Sequence, residues 1–355
     1  MRIETAHPRE LGAVEVAQWR AHTHNQPSLR SPYFTPEWAQ LIGDVRDDAR
    51  VCVIDGGRGF LGAQRLSRFA AMGLGAPICD YQGVVGEAGL SVGASALCRA
   101  LKVGRIDLTH VPSEQPLLAS AVAGEEGSWI AAISGGAELY RAALKERRGE
   151  FLRQTDKKQR KFEREKGRLE FRAMSREDAD FKTLVDWKNA QLLRSGQPAI
   201  WDAPWVRSVL ERSFAMREHA FSGALFTLSI DAKLVAGAYF LRADRVLHAW
   251  MVAHDEAYNS YSPGLLLARW AVMWAAENGF AEVDFGPGDS QYKRQLSTGQ
   301  RPLQWGAVSG ASWSGAVRRT AFALRAGIEK LPDPRIAQLP GKAMRRLDLM
   351  RALAA

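Results

Sequence analysis

Residues 258–296, YNSYSPGLLLARWAVMWAAENGFAEVDFGPGDSQYKRQL, restrict the folds open to this chain more than any other stretch. Ser262 and Pro263 mark a helix start, with Ser at the cap and Pro at the first helical position, where its missing N–H costs nothing. Leu265, Leu266, Ala268, Trp270 and Trp274 continue a largely apolar helix that Asn278-Gly279 stops. Residues 281–285 leave room for a short strand only, because Gly286, Pro287 and Gly288 end it at once. The loop that follows carries Asp289, Tyr292 and Lys293. A helix N-terminus beside a strand that empties polar side chains into a loop is a common way to build an anion site. Its free N–H groups and its dipole both favour negative charge.

The surroundings narrow the choice. Helical patterns over 177–194 and 204–218 precede three consecutive strands, 224–230, 233–242 and 245–253, which turn at 231–233 and 243–245. Residues 305–309 supply a last strand. Earlier in the chain, helices over 13–22, from Thr35-Pro36 onward and over 91–103 mix with strands. Those strands are 50–54 and 63–69 about Asp55-Gly56-Gly57, then 105–109 and 128–133. This is mixed α/β with antiparallel, α+β-like pieces, not a regular run of βαβ units. A chain of 355 residues exceeds one ordinary core and predicts two domains.

Charge is unevenly placed. Against a net charge of +9, residues 141–172 carry +7, with 13 Lys/Arg against 6 Asp/Glu, and residues 315–355 carry +6, with 9 against 3, so the rest of the chain is net −4. The first is a long polar helix, 136–167, containing KKQRKFEREKG. Its bland reading is a solvated inter-domain helix with i,i+4 charge pairing; the sharper one is an electropositive wall for an anionic substrate. It lacks the interleaved aromatics of a nucleic-acid module, which argues against such a partner. The second segment is an amphipathic tail broken by Pro332, Pro334 and Pro340. Three readings stand for it: an acidic membrane surface, a phosphorylated regulator such as a cyclic dinucleotide, or packing back on the body. Residues 1–10 have no apolar core, so no secretory signal is expected there, and both long apolar runs are interrupted by arginine, Arg68 and Arg269. Cys52, Cys79 and Cys98 form an odd set without metal-ligand spacing, and no HxH or HExxH occurs. A reduced cytoplasm and no metal are expected.

The order helix, helix, three-stranded meander, helix with a polar N-terminus, strand, loop, strand matches the core of GNAT-type acyltransferases. More specifically, SPYFTPEWAQ (31–40), CDYQGVV (79–85), KKQRKFEREKG (157–167), VAGAYFL (235–241), YSPGLLL (261–267) and VDFGPGDSQYK (283–293) resemble the CelD/BcsL-type acetyltransferases of exopolysaccharide synthesis. These are a branch of the FemAB-like double-GNAT enzymes, and the resemblance spans about residues 31–308. It implies two tandem GNAT-like domains, over 1–140 and 173–312, with the basic helix 141–172 between them and the tail 313–355 after them. It implies acyl transfer to an amine or hydroxyl of a free or lipid-linked sugar, in the cytoplasm or at the inner face of the membrane. Acetyl-CoA is the implied donor, although the turn Ser260–Leu265 keeps only Gly264 of the usual coenzyme A glycine pattern, and FemAB relatives use aminoacyl-tRNA. Two other functions stay open: a non-catalytic GNAT-like module answering to a phosphorylated ligand, and an aminoacyl-tRNA-dependent peptidoglycan aminoacyltransferase.

Acyl transfer needs a deprotonated acceptor, a stabilised oxyanion and two substrates held together. Asp289 is a candidate base or acceptor-orienting group, Tyr292 a phenolic donor and Lys293 a charge; alternatively Asp289 caps a short helix while Tyr292 packs and Lys293 is solvated. Ser262, Gly264, Leu265 and Tyr258 are the candidate donor-binding residues. Asp80, Tyr81, Tyr239, Trp250, His254 and Asp284 are candidates for the acceptor. Each also has a plain structural reading, a turn Asp, a buried ring or a polar strand end. Asp284 in particular alternates with Val283 and Phe285 and faces either a cleft or a buried partner.

Overall fold

A computed structural model describes residues 1–119, 121–333 and 337–354, so Pro334, one of the proline breaks of the tail, lies outside the described residues. The chain divides into two compact units, Met1–Glu126 with Pro302–Ala355, and Gly127–Arg301.

The first unit contains β1 (Ile3–Ala6), α1 (Ala13–Asn25), α2 (Pro36–Gly43), β2 (Ala49–Ile54), β3 (Gly59–Gln64), β4 (Ala71–Gly73), β5 (Val84–Gly86), α3 (Ala94–Leu101) and β6 (Arg105–Pro112). Strand β7 (Val122–Ala132) then carries the chain into the second unit. The second unit contains α4 (Ala137–Lys166), β8 (Leu169–Ser175), α5 (Asp178–Arg194), α6 (Pro204–Ala215), β9 (Ser222–Ile230), β10 (Lys233–Ala243), β11 (Val246–His254), α7 (Pro263–Glu277), β12 (Glu282–Asp284) and α8 (Gln291–Leu296). Strand β13 (Gly299–Ser309) returns the chain to the first unit, which α9 (Trp313–Ile328) and α10 (Leu339–Ala354) complete.

In the first unit the strands run β1-β2-β3-β4-β6-β13, with β5 also on β3; only β4 and β6 pair in parallel. Helix α2 starts as its sequence predicts, with the Thr35 hydroxyl accepting the Trp38 N–H at 3.1 Å and Pro36 at the first position. The expected hairpin forms about Asp55-Gly56-Gly57, but its second strand begins at Gly59 and not at Ala63. A side chain at Gly59 would run into Leu90, so the glycine leaves room for the Leu90 side chain. The core gathers Leu61, Leu97, Leu101, Ile106, Val111, Leu118 and Val308. The tail segment clusters with this unit.

In the second unit the order is β7-β12-β11-β10-β9-β8, parallel only between β11 and β12. The three-stranded meander forms as expected, and Asp231, Ala232 and Asp244 take positive φ in its tight turns. The apolar face of α7, including Leu266, Leu267, Ala271 and Val272, packs with Phe226, Phe240, Leu247 and Val283 of the sheet. Helices α5 and α6 pack against β9, β10 and β11. The basic helix belongs to this unit. Residue Arg148, at φ −140° and ψ 33°, breaks it, and Tyr140, Leu144, Thr155 and Phe162 are its buried positions. Among the described residues no helix is long and apolar enough to cross a membrane.

Candidate active site

The second unit opens where β11 and β12 part. They pair only over Val246–His248 and Glu282–Asp284. Strand β12 stops at Asp284 because Gly286 and Gly288, both at positive φ, turn the chain away, while β11 continues to His254. A register shift between β10 and β11 at Trp250 bends β11 at the same level. Helix α7 begins a few residues after β11 ends.

At the start of α7, Ser262 occupies the cap position, but its backbone is left-handed (φ 55°, ψ 52°) and its side chain does not cap the helix. Its hydroxyl instead accepts a hydrogen bond from the Lys158 ammonium at 2.9 Å. A Cβ on Gly264 would lie 3.2 Å from His254 Nδ1, tight enough that glycine keeps the backbone close to β11. His254, read above as an acceptor-side group, therefore stands beside the α7 start, where its Nε2 pairs with Asn259 Oδ1 at 2.6 Å. Helix α4 docks along this start. Phe162 stacks on Tyr261 at 4.5 Å and 8°, Tyr258 tilts against Phe162 at 5.4 Å, and Arg269 pairs with Asp156 at 2.5 Å. The Tyr261 hydroxyl donates to Glu165 at 2.9 Å, a bond that lowers the Glu165 pKa. Leu265 is half-buried beside this cluster.

The loop carrying Asp289, and the short helix α8 that carries Tyr292 and Lys293, are braced from beneath. Asp284 is 1% exposed; its Oδ1 accepts from the Ser128 hydroxyl at 2.6 Å and the Gly286 N–H at 2.8 Å. Its Oδ2 faces His248 Nδ1 at 3.5 Å and Arg301 at 3.4 Å. Burial is the largest single influence and raises the Asp284 pKa, but the His248 charge and contact, the Arg301 charge and the Ser128 bond together outweigh it, so the carboxyl lies well below the usual range. Neighbouring Glu282 shifts upward, because burial exceeds the pull of Arg301, which it also contacts at 2.8 Å. Above this network Lys293 donates to the Pro287 and Gly286 carbonyls at 2.7 and 3.4 Å, and the Trp129 indole donates to Gly288 O at 3.1 Å. Tyr292 meets Phe285 edge-on at 6.0 Å, and exposed Asp289 forms an ion pair with Arg294. Lys188 of α5 has a lowered pKa, through burial first and the nearby Lys293 charge second.

Under α5 and α6 lies an aromatic cluster. Fully buried Tyr239 bonds the Ser213 hydroxyl at 2.8 Å, and Trp250, 9% exposed, stands between Tyr239 and Trp201 at 6.1 and 5.4 Å. Asp80 and Tyr81 belong to the first unit, where Tyr81 is buried against Phe34 at 5.8 Å. Thus the second unit brings together Asp284 at the end of β12, Asp289 on the loop after it and Tyr292 and Lys293 on α8, and Tyr258, Ser262, Gly264, Leu265 and His254 at one helix start. Lys158, Lys188, His248, Arg301 and Ser128 were not singled out from sequence. Only Lys158 had a signal, the KKQRKFEREKG run, and the partner of that run was not readable. Among the described residues no group of His, Cys, Asp and Glu is placed to hold a metal ion.

Residues 149–294 match the family described as Acetyltransferase (GNAT) domain. No curated protein matches. Among solved structures, the chain is similar to the C-terminal domain of a protein described as a lysylphosphatidylglycerol synthetase from Agrobacterium fabrum, at 11% identity and TM-score 0.54, covering 87% of this chain and 96% of that one. It is similar to FemX at 12% identity and TM-score 0.55, covering 86% and 96%. A conserved protein from Bacteroides thetaiotaomicron aligns at 11% identity and TM-score 0.54, covering 87% and 100%. The fold is the two-domain GNAT fold, and the stretch that matches the acetyltransferase (GNAT) domain family lies in the second unit.

Proposed function

We propose that the protein is an N-acyltransferase that uses acetyl-CoA to modify an amino sugar of an exopolysaccharide precursor, free or lipid-linked, in the cytoplasm. The observation that carries the donor half of this reading is the start of α7. There the positive end of the helix dipole and the Lys158 ammonium converge, and no carboxylate among the described residues pairs with Lys158. A cation at that helix end is unfavourable unless an anion joins it. The Ser262 N–H is already taken by the Asn259 carbonyl and Pro263 has none, so the close-packed Gly264 supplies the backbone N–H that, with Lys158, is proposed to hold a diphosphate. When bound, the donor would supply an activated thioester.

The acceptor amine must lose a proton, and the exposed Asp289 carboxylate is the proposed group that orients it. Lys293, held by two loop carbonyls, places a positive charge at the loop, and Tyr292 a phenol beside it. Asp284 is proposed to act from beneath, by fixing the Gly286–Gly288 turn. An acceptor built on a lipid carrier would be met at the inner face of a membrane. The sugar assignment rests on the CelD/BcsL resemblance.

The test is calorimetric titration of the purified protein with acetyl-CoA and coenzyme A. Micromolar binding is expected, weakened about tenfold in Lys158→Ala, the loss of one charge-assisted contact. No binding below millimolar would overturn the donor assignment, and a folded Lys293→Ala enzyme with full turnover would remove Lys293 from the chemistry.

One observation favours a second donor. Helix α4 exposes Arg147, Arg148, Arg153, Lys157, Arg160 and Lys161 along its length. A charged tRNA would engage such a surface, and salt-sensitive binding of aminoacyl-tRNA in place of acetyl-CoA would decide for it.

A further inference from the structure

Helices α9 and α10 present their apolar stripes the wrong way round for packing. On α9, Trp313, Val317 and Leu324 recur at helical spacing and are 65, 57 and 63% exposed, and Leu331 just beyond the helix is 46% exposed. The inner side of α9 is polar. Arg318 pairs with buried Asp107 at 3.1 Å and with Asp348 of α10 at 2.5 Å, while Arg325 stacks over Trp305 at 4.4 Å and bonds Glu329. On α10, Leu339, Leu347 and Met350 face outward, whereas Ala352 is fully buried near Met72 and Ala76. Both helices are therefore held through ion pairs and small residues, and their large apolar side chains remain outside.

The two stripes share a rim. Trp313 and Val317 of α9, Leu347 and Arg351 of α10, and Phe69 line one cavity of about 690 Å³. Trp313 meets Phe69 edge-on at 5.2 Å, and Arg68 lies over Phe69 at 4.7 Å. The charges beside the stripes have one sign. Lys342, Arg345, Arg346 and Arg351 flank that of α10, and Arg319 and Lys330 that of α9, all exposed. The acidic Asp348 and Glu329 are already tied to Arg318 and Arg325.

We propose that α9 and α10 form a docking face for an anionic phospholipid bilayer, with Trp313, Val317, Leu347 and Met350 entering the headgroup boundary and Arg345, Arg346 and Arg351 binding lipid phosphates. An exposed apolar stripe ringed by arginine and lysine matches that surface in both respects, apolar depth and negative charge. Every residue in the argument belongs to the first unit, whereas the acyl-transfer site is built from the second, so either conclusion can fail without the other.

The experiment uses the full chain and co-sedimentation with phosphatidylcholine vesicles, with and without one-third phosphatidylglycerol. Binding is expected to the anionic vesicles only and to weaken as salt rises. The Arg345→Glu/Arg346→Glu variant is expected to bind about tenfold less. Trp313→Ala is expected to bind more weakly at every salt concentration, because it removes depth and not charge. Both variants should keep the wild-type circular dichroism and acetyl-CoA titration. The proposal is overturned by absent sedimentation, by equal sedimentation with both vesicle types, or by wild-type binding in both variants. Calorimetric binding of a cyclic dinucleotide to a protein that ignores vesicles would instead assign the arginines to a soluble nucleotide.

Discussion

Asp284 is where a single residue does most to hold the site in place. A buried carboxylate with four partners cannot lose its charge cheaply, and Asp284→Asn is expected to cost about 3 kcal/mol in urea denaturation. The pH dependence has a definite sign. Because the folded pKa is depressed, the stabilisation is complete above the ordinary carboxylate range, about pH 4, and is lost as pH falls through the folded value. The gap in stability between wild type and Asp284→Asn should therefore narrow on acidification below about pH 4. A constant gap down to pH 2 would contradict the assignment. Glu282, shifted the other way, takes the first proton of the pair. The cysteines give a simpler test. Burial pushes Cys52 up to about 12, and Cys79 and Cys98 also shift upward for the same reason. All three should be inert to a thiol reagent at pH 8 and react together on denaturation; fast labelling of any one in the native protein would refute its burial. At this scale the sequence was only partly legible. Asp284 announced itself by alternation on a short strand, but its neighbour His248 sits one strand across and far back in the chain, and nothing local marks it as a partner.

Most elements could be read in advance, because their signals are local. Thr35-Pro36 opened α2, three consecutive strand-like runs between turn residues gave the meander, and Gly286-Pro287-Gly288 ended β12. Helix α4 was legible as a helix but not as a neighbour. Its composition reads as solvated, and the few side chains that decide its docking are set wide apart. Phe162, fully buried, is the main one. Phe162→Ala is expected to lose about 3 kcal/mol, from the cavity left against Tyr261. Hydrogen exchange should speed up along the second half of α4, and unchanged protection there would show that the helix is held by other means. The same substitution should weaken acetyl-CoA binding, since Lys158 lies one turn away on the docked helix. The tail helices show the opposite limit: their amphipathic pattern was plain, but periodicity alone does not say which side faces the body, and ion pairs settled it.

For the whole molecule, the informative feature is that the first unit is discontinuous in sequence. Leu303, Ala307 and Val308 of β13 are buried, and β13 pairs with β6 from Leu303↔Pro112 to Ser309↔Arg105. A chain ended after Arg301 is expected to keep a protease-resistant second unit while the first is degraded, visible by limited proteolysis and mass spectrometry. Equal resistance of both would show that the first unit does not need its returning strand. The return leg could not have been foreseen from local pattern, since residues 305–309 read equally well as a last strand of the nearer domain.

That returning strand also sets a timetable. A ribosome delivers residues in order, so β6 emerges with one edge open and waits for a partner that is translated only after the whole second unit. The second unit, continuous between Gly127 and Arg301, has all its strands available first. During that interval the open edge of β6 is the place where a nascent chain could pair with the wrong neighbour, and Arg105 and His110 supply cationic or polar side chains along it. Slow translation of the stretch between β6 and β13 would lengthen that exposure, making the yield of folded protein sensitive to the pace of the codons in between.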